Sequence, residues 1–405
     1  MPIRRPLRRS AFLAATGAAL AAPALAAAQV QLGDDIFVAE TWRELRGRTV
    51  GIVTNQSGVL SNRTTVVDAV RANGAIAIKA LFAPEHGLRG DRAAGTYVPS
   101  YTDPHSGLPV YSLYGETRHP SAAMLDGIDV LLFDIQDVGA RAYTYISTMA
   151  YVMQSAQKYG KSIWVLDRPN PIGGARVEGP VLDPHYASFI GLYPIPERHG
   201  MTIGELARLF NEQFGIGADL RVIPMRGWTR DLVWAETNLA WIPTSPNVPY
   251  ALTPLVYLAT GLIDEGGVNN GVGTDRPFEF AGGYGFAPIE FAREVSARGI
   301  PGATFEATTW VPQRGFWAGK TLGGLQMHVV DPHAFPSVRT AVELLVAART
   351  QGRLQFANPA SFDRDWGTDT VRLALTAGAA PDDIVASWES GLAAFRPIRA
   401  KYLLY

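Results

Sequence analysis

The chain has no cysteine in its 405 residues, which excludes disulfide scaffolds, thiol nucleophiles, thiolate zinc sites and iron–sulfur clusters. Neither sign of charge is in excess, with 36 basic against 37 acidic residues, and that excludes a strongly basic nucleic-acid binder. No apolar stretch after residue 28 is long enough to span a bilayer. Neither a G-x-G-x-x-G turn nor a Walker-type loop with lysine follows any apolar run, so nucleotide binding has no support. A G-x-S-x-G elbow for a serine hydrolase is missing too. The 7 histidines show no H-x-x-x-H or H-x-H spacing, and neither a metal nor an organic cofactor is expected.

What is present describes a folded, exported protein. Apolar residues make up 47% and charged residues 18%, a globular composition. At about 150 residues per domain the length predicts two or three domains. Arg4, Arg5, Arg8 and Arg9 precede an alanine-rich apolar run that ends in Ala26-Ala27-Ala28, the pattern of a cleaved signal peptide over residues 1–28. Arg8-Arg9 followed by Phe12-Leu13 suggests twin-arginine export, with a spacing one residue longer than usual. Without those four arginines the mature chain has 32 basic against 37 acidic residues, a net charge of −5. The expectation is a periplasmic or extracellular protein with no stable membrane insertion.

From residue 49 to 171 short apolar runs alternate with helix-like segments. The runs begin at Val50, Ala77, Val110, Val130 and Ile163, and most are continuously apolar, as strands buried on both faces of a parallel sheet are. Helix candidates lie near 63–73, 120–127 and 141–160. This alternation predicts an open α/β sheet with right-handed crossovers. After about residue 200 the rhythm changes. Thr202 and Glu205 form a capping-box pattern for a helix to about 214, a strand follows at 220–225, and further helices are expected at 251–261, 336–351 and 381–396. Residues 29–200 and 201–405 are therefore read as two domains, the second a smaller α+β unit.

In an open α/β sheet ligands bind beyond the carboxyl ends of the strands, and every predicted strand here runs out into polar residues. The first exit carries Thr54-Asn55-Gln56-Ser57-Gly58, and the second Pro84-Glu85-His86-Gly87-Leu88-Arg89. The third is Tyr114-Gly115-Glu116, the fourth Asp134-Ile135-Gln136-Asp137, and the fifth Asp167-Arg168-Pro169-Asn170. Glu85 and His86 sit in a tight loop, where a carboxyl sheltered from water suits a general acid. The competing reading is an ion pair of Glu85 with Arg89 or Arg92 that merely fixes the loop. Asp134 and Asp137 can orient an acid or a water; alternatively, Asp137 caps a helix that starts near Arg141. Trp228, Trp234, Trp241 and Trp317 can stack on a sugar or belong to the core.

Several long motifs resemble the exo-β-N-acetylmuramidases of the NamZ type, long catalogued as a domain of unknown function. They are Phe82-Ala83-Pro84-Glu85-His86-Gly87-Leu88-Arg89-Gly90, and the block 133–149 that opens Phe133-Asp134-Ile135-Gln136-Asp137-Val138-Gly139-Ala140-Arg141. Leu166-Asp167-Arg168-Pro169-Asn170-Pro171, Val177-Glu178-Gly179-Pro180, Arg198-His199-Gly200-Met201-Thr202, Ser245-Pro246-Asn247-Val248-Pro249 and Gly273-Thr274-Asp275-Arg276-Pro277-Phe278-Glu279 fit as well. The resemblance covers nearly all of the mature chain. It implies a Rossmann-like domain and a smaller second domain with the active site in the cleft between them. The implied activity is release of β-1,4-linked N-acetylmuramic acid from non-reducing ends of peptidoglycan fragments.

On this resemblance Glu85 is the expected general acid, with Asp137 or Asp134, or else Glu178, as the second carboxylate. Asn55, His86, Arg141, Tyr143, Arg168, Asn170, Glu178, Asn247, Arg276 and Glu279 are expected to contact the saccharide or muropeptide. One departure stands out: Val272 occupies a position where relatives of this type carry arginine. If that arginine meets the lactyl carboxylate, its absence removes a charge that Arg276 or Arg141 could supply here. Two alternatives stay open at this point, a non-catalytic glycan-binding protein and a hydrolase of another exported amino-sugar glycan.

Overall fold

A computed structural model describes residues 29–405; the signal segment expected at 1–28 lies outside the described residues. The strands are β1 (Thr49–Thr54), β2 (Ala77–Ala83), β3 (Tyr101–Thr102), β4 (Pro109–Ser112), β5 (Val130–Asp134), β6 (Ser162–Leu166), β7 (Glu178–Val181), β8 (Pro196–Arg198), β9 (Asp219–Ile223), β10 (Phe280–Gly283), β11 (Ala303–Trp310) and β12 (Leu322–Val329). Seven of them form one sheet in the order β3-β4-β2-β1-β5-β6-β9. All neighbours are parallel except β3 with β4. Among the parallel strands the chain runs outward from β1 to β2 and β4, then returns to β5 on the other side of β1 and continues to β6 and β9. This is the doubly wound order, and its switch point lies between β1 and β5.

Alternating residues of the central strands face opposite ways. Val53, Phe82, Leu131, Phe133 and Val165 point to one face, where they meet α3 (Tyr145–Lys158) and α4 (Ile203–Glu212). Val50, Ile52, Leu81, Leu132 and Trp164 point to the other, under α1 (Gly33–Ala39) and α2 (Val66–Asn73). Both faces are dry, which is why the strands read as unbroken apolar runs.

The second unit holds the antiparallel sheet β10-β12-β11 with α5 (Thr253–Thr260), α6 (Pro288–Ala297) and α7 (Ser337–Thr350). Four more helices complete it: α8 (Pro359–Trp366), α9 (Thr370–Thr376), α10 (Pro381–Ala386) and α11 (Glu389–Ala400). Its Leu325, Val342, Phe362 and Trp366 join the same apolar cluster as the α3 face of the large sheet. The two units therefore share one core.

Three expectations are corrected. The boundary at residue 200 falls inside the first unit, because α4 covers the large sheet and β9 pairs with β6. The 120–127 segment makes only turns, closed by Leu125 N–H on Ser121 O and Ile128 N–H on Leu125 O, since the run between Pro120 and the left-handed Gly127 (φ 65°) is too short to propagate a helix. The 381–396 helix is two helices, α10 and α11, broken at Ser387-Trp388. The capping box at Thr202 and Glu205 is formed as read.

The last residues fold back onto the first unit. The Tyr405 hydroxyl donates to Asp167 Oδ2 (2.7 Å) and accepts from Met225 N–H (2.7 Å), and Leu404 N–H donates to Glu205 Oε1 (2.8 Å). Removing that hydroxyl in Tyr405→Phe leaves a buried carboxylate one donor short. Urea denaturation should report a loss of about 1–2 kcal/mol, and an unchanged midpoint would show that the tail contributes nothing.

Candidate active site

Glu85 leaves the carboxyl end of β2 behind Pro84, and the next two residues, His86 (φ 69°) and Gly87 (φ 77°), take left-handed backbone. The turn folds the carboxyl inward until only 7% of the residue is exposed. Its Oε1 accepts from Gly95 N–H (2.9 Å) and its Oε2 from the Thr144 hydroxyl (2.8 Å). The Tyr114 phenol is pushed above its usual range by burial and by the Glu85 carboxylate beside it. The ion-pair reading is overturned: Arg89 binds Asp103 (2.6 Å) and Arg92 lies by Asp91 (3.8 Å). His86 Nδ1 donates to Arg92 O (2.7 Å), which in the neutral ring leaves Nε2 as the acceptor.

Thr144 stands at the N-cap of α3, yet makes no capping hydrogen bond. A threonine in that place ordinarily contributes about 1 kcal/mol by capping. Here its hydroxyl is given to Glu85 instead.

The other strand exits are tied together around this point. Asn55 Oδ1 accepts from Ser57 N–H (2.9 Å) and the Ser57 hydroxyl (2.6 Å), whose oxygen accepts from Gln136 N–H (3.0 Å). Gly58 is required in this loop, because a Cβ there would lie 2.0 Å from Thr54 Oγ1 and 2.7 Å from Asp134 O. Gln56 Nε2 donates to the carbonyls of Pro243 (2.8 Å) and Thr244 (2.9 Å). The Tyr145 hydroxyl donates to Thr244 O (2.6 Å), and Tyr143 shares a hydrogen bond with the Thr244 hydroxyl (2.8 Å). Three residues on, Asn247 Oδ1 accepts from Arg314 (2.8 Å). A crevice opens beside these loops, lined by Thr54, Asn55, Gln56, Leu88, Arg89, Asp103 and His105.

Beneath the switch point lies a buried charge cluster. Arg168 Nε donates to Asp134 Oδ1 (2.6 Å), and its Nη2 donates to Asp34 Oδ2 (2.6 Å) and Val59 O (3.0 Å). Burial alone would lower the guanidinium pKa, but the two carboxylates drive it upward. Burial pushes Asp34 well above the ordinary carboxylate range, with Arg168 opposing and Asp134 adding to it. Burial raises Asp134 as well, in spite of Arg168. Asp134 and Arg168 are therefore the floor of the site and not groups open to substrate, contrary to expectation.

Others of the expected residues are also engaged by partners within the protein. Arg141, 1% exposed, spends its guanidinium on the carbonyls of Pro180 and Asp365 and on Glu197 (2.8 Å). Asn170 is tied to Met201 O (3.0 Å) and Ile172 N–H (3.2 Å). Glu178 pairs with Arg198 (2.6 Å) and accepts from Val338 N–H (3.1 Å) at the start of α7. Asp137 does not cap a helix, for α3 begins only at Tyr145. Its Oδ2 accepts from Gly139 N–H (2.7 Å) and faces His199 Nε2 (3.5 Å), while its Oδ1 has no hydrogen-bond partner among the described residues. Arg276 is paired with Glu279 (3.3 Å), which also accepts from Gln326 (3.0 Å), and Val272 packs against the shared core. Trp228 and Trp234 are buried, with Trp241 against Trp234. Trp317 stacks on the exposed Phe316 at 4.0 Å. Sequence reading gave no role to Thr144, Tyr114, Asp34, His199 and Thr244, although Tyr114 stands in a named strand exit and Thr144 and His199 lie within quoted motifs.

With this geometry in view, two family models match the chain: exo-β-N-acetylmuramidase NamZ, N-terminal, over residues 50–251, and the NamZ C-terminal model over 255–405. The chain belongs to this family of glycoside hydrolases. It is 42% identical over 379 residues to the peptidoglycan β-N-acetylmuramidase NamZ of Bacillus subtilis, covering 93% of this chain and 92% of that protein. Crystal structures of two DUF1343 family proteins from Bacteroides fragilis superpose with TM-scores of 0.86 and 0.72 at 33% and 28% identity. Each covers 93% of this chain and 99% of the other. The family boundary near residue 251 agrees with the placement of α4 and β9 in the first unit.

The site makes three predictions. Thr144→Val keeps the shape and removes the hydroxyl that holds Glu85. Turnover should fall roughly tenfold, the weight of one hydrogen bond, with stability changed by less than about 1 kcal/mol because no cap is lost; equal activity would free Glu85 of this dependence. In the charge cluster, the proton carried by Asp34 adds stability that is full below the ordinary carboxylate pKa near 4 and is lost as pH rises toward the raised folded value. Asp34→Asn mimics the protonated form, so its stability-versus-pH curve should be flatter than wild type above about pH 4. Arg168→Ala, which strands the carboxylates, should cost about 3–5 kcal/mol.

Proposed function

We propose that the enzyme releases β-1,4-linked N-acetylmuramic acid from the non-reducing ends of peptidoglycan fragments, with Glu85 as general acid. The observation that carries this reading is the setting of Glu85: nearly enclosed, at a strand exit, and held by a hydroxyl. A hydroxyl donates to a carboxylate and can turn to accept from a carboxylic acid. Thr144 thus serves Glu85 before and after it gives up its proton, and the Tyr114 phenol beside it has the same capacity.

In this mechanism Glu85 protonates the glycosidic oxygen as the bond to the anomeric carbon breaks, and positive charge grows on the sugar ring. Asp137 is the second carboxylate best placed to act. Asp134 is committed to Arg168, and Glu178 to Arg198 and α7. Among the described residues nothing hydrogen-bonds one oxygen of Asp137 while Gly139 N–H holds the other, an arrangement suited to activating water or orienting the 2-acetamido group. The signal segment read at residues 1–28 supports action outside the cytoplasm, where the polymer lies.

The test is hydrolysis of 4-nitrophenyl β-N-acetylmuramide by wild type and Glu85→Gln. The variant should lose roughly a hundred- to ten-thousandfold in kcat, the range of a general acid, while melting within a few degrees of wild type. Retention of activity within about threefold would remove Glu85 from the chemistry, and binding of the sugar without release by wild type would favour a glycan-binding role.

A further inference from the structure

N-acetylmuramic acid differs from N-acetylglucosamine by a lactyl ether, which carries a carboxylate. A site selective for it, in a chain of net charge −5 over residues 29–405, must supply a cation. The guanidiniums around Glu85 are mostly spoken for. Arg89 and Arg276 are paired with acids and Arg92 lies by one, and Arg141 and Arg168 are sealed inside. Arg118 is different. It follows β4 four residues after Tyr114 and is exposed, and among the described residues no carboxylate lies within ion-pair distance of it. Its guanidinium carbon sits over the Phe189 ring at 4.0 Å and 5.3 Å from the centre of Tyr114.

That platform is built to hold a charge still. Phe189 is itself buried; it stacks on Tyr151 (5.7 Å, 22° between planes) and leans on Tyr114 (5.8 Å). A guanidinium resting on an aromatic face keeps its N–H edges free for a bidentate partner. Tyr114 touches both ends of the arrangement, since its phenol feels Glu85 as well as Arg118. One aromatic ring therefore separates the acid that cleaves from an unpaired, pre-placed cation.

We propose that Arg118 binds the lactyl carboxylate of the substrate and sets the preference for muramic acid, in place of the Arg141 or Arg276 expected from sequence. The inference rests on the muramidase reading of the site. It is tested with 4-nitrophenyl β-N-acetylmuramide and its lactyl methyl ester, which keeps the shape and loses the charge. Wild type should favour the acid in kcat/KM. In Arg118→Gln the acid-to-ester ratio should fall roughly ten- to a hundredfold, as for loss of one charge-assisted pair, and Arg118→Lys should recover part of it. A variant that keeps the wild-type ratio, or slows both substrates equally, overturns the proposal, because bracing Tyr114 alone would not distinguish acid from ester. So does a ratio that collapses in Arg314→Gln and not in Arg118→Gln. If wild type hydrolyses neither compound, the muramidase reading itself fails.

Discussion

A single buried guanidinium underlies the whole site. Arg168 reaches from the end of β6 beneath the switch point, and it binds Asp134 at the end of β5, Asp34 on α1 and a carbonyl in the loop after β1. These four segments are spread over the 134 residues that separate Asp34 from Arg168. In low dielectric, each unpaired charge of this cluster would be severely penalised. The exits of β1, β5 and β6 are consequently locked in one relative arrangement, and the crevice inherits its shape from that lock.

On this floor the chemistry is divided among the remaining exits. β2 delivers the acid, β4 delivers Tyr114, and α3 delivers Thr144 at its start and Tyr151 beneath Phe189. The segment 243–247 roofs the exits through the carbonyls of Pro243 and Thr244, which bind Gln56 and Tyr145. Polar groups that a helix or loop would ordinarily use for its own termination are redirected toward Glu85. This is the pattern expected where local preference yields to function.

The sheet was largely legible because its strands are buried on both faces and their apolar runs have no competing helical period. So was the region of the site, since the polar residues cluster at the carboxyl ends of those runs. Individual roles were far less legible. Arg141, Arg168 and Asp134 look like ligands in a linear motif, because an ion pair that closes a core uses the same residue types as one that meets a substrate. Only the fold shows that Glu197 and Asp34, 56 and 134 residues away in sequence, satisfy them. Thr144 was invisible for the opposite reason: it occupies a conventional helix start, and its departure from capping has no sequence signature. The boundary at residue 200 was misplaced because β9 follows a helix and precedes a long proline- and tryptophan-rich stretch, so composition changes before the sheet ends.

The return of the tail onto Asp167 has a consequence for how the molecule is assembled. Asp167 sits at the end of β6, in the half of the chain synthesised first, but one of its hydrogen-bond donors is Tyr405, the final residue. Domains ordinarily fold in order of synthesis. Here the first unit completes its polar interior only when the segment that carries Tyr405 has been made and has packed back against it. Completion of the early half is therefore coupled to the docking of a segment more than two hundred residues later, and a product cut short before Tyr405 is left with a defect in a domain that it contains in full.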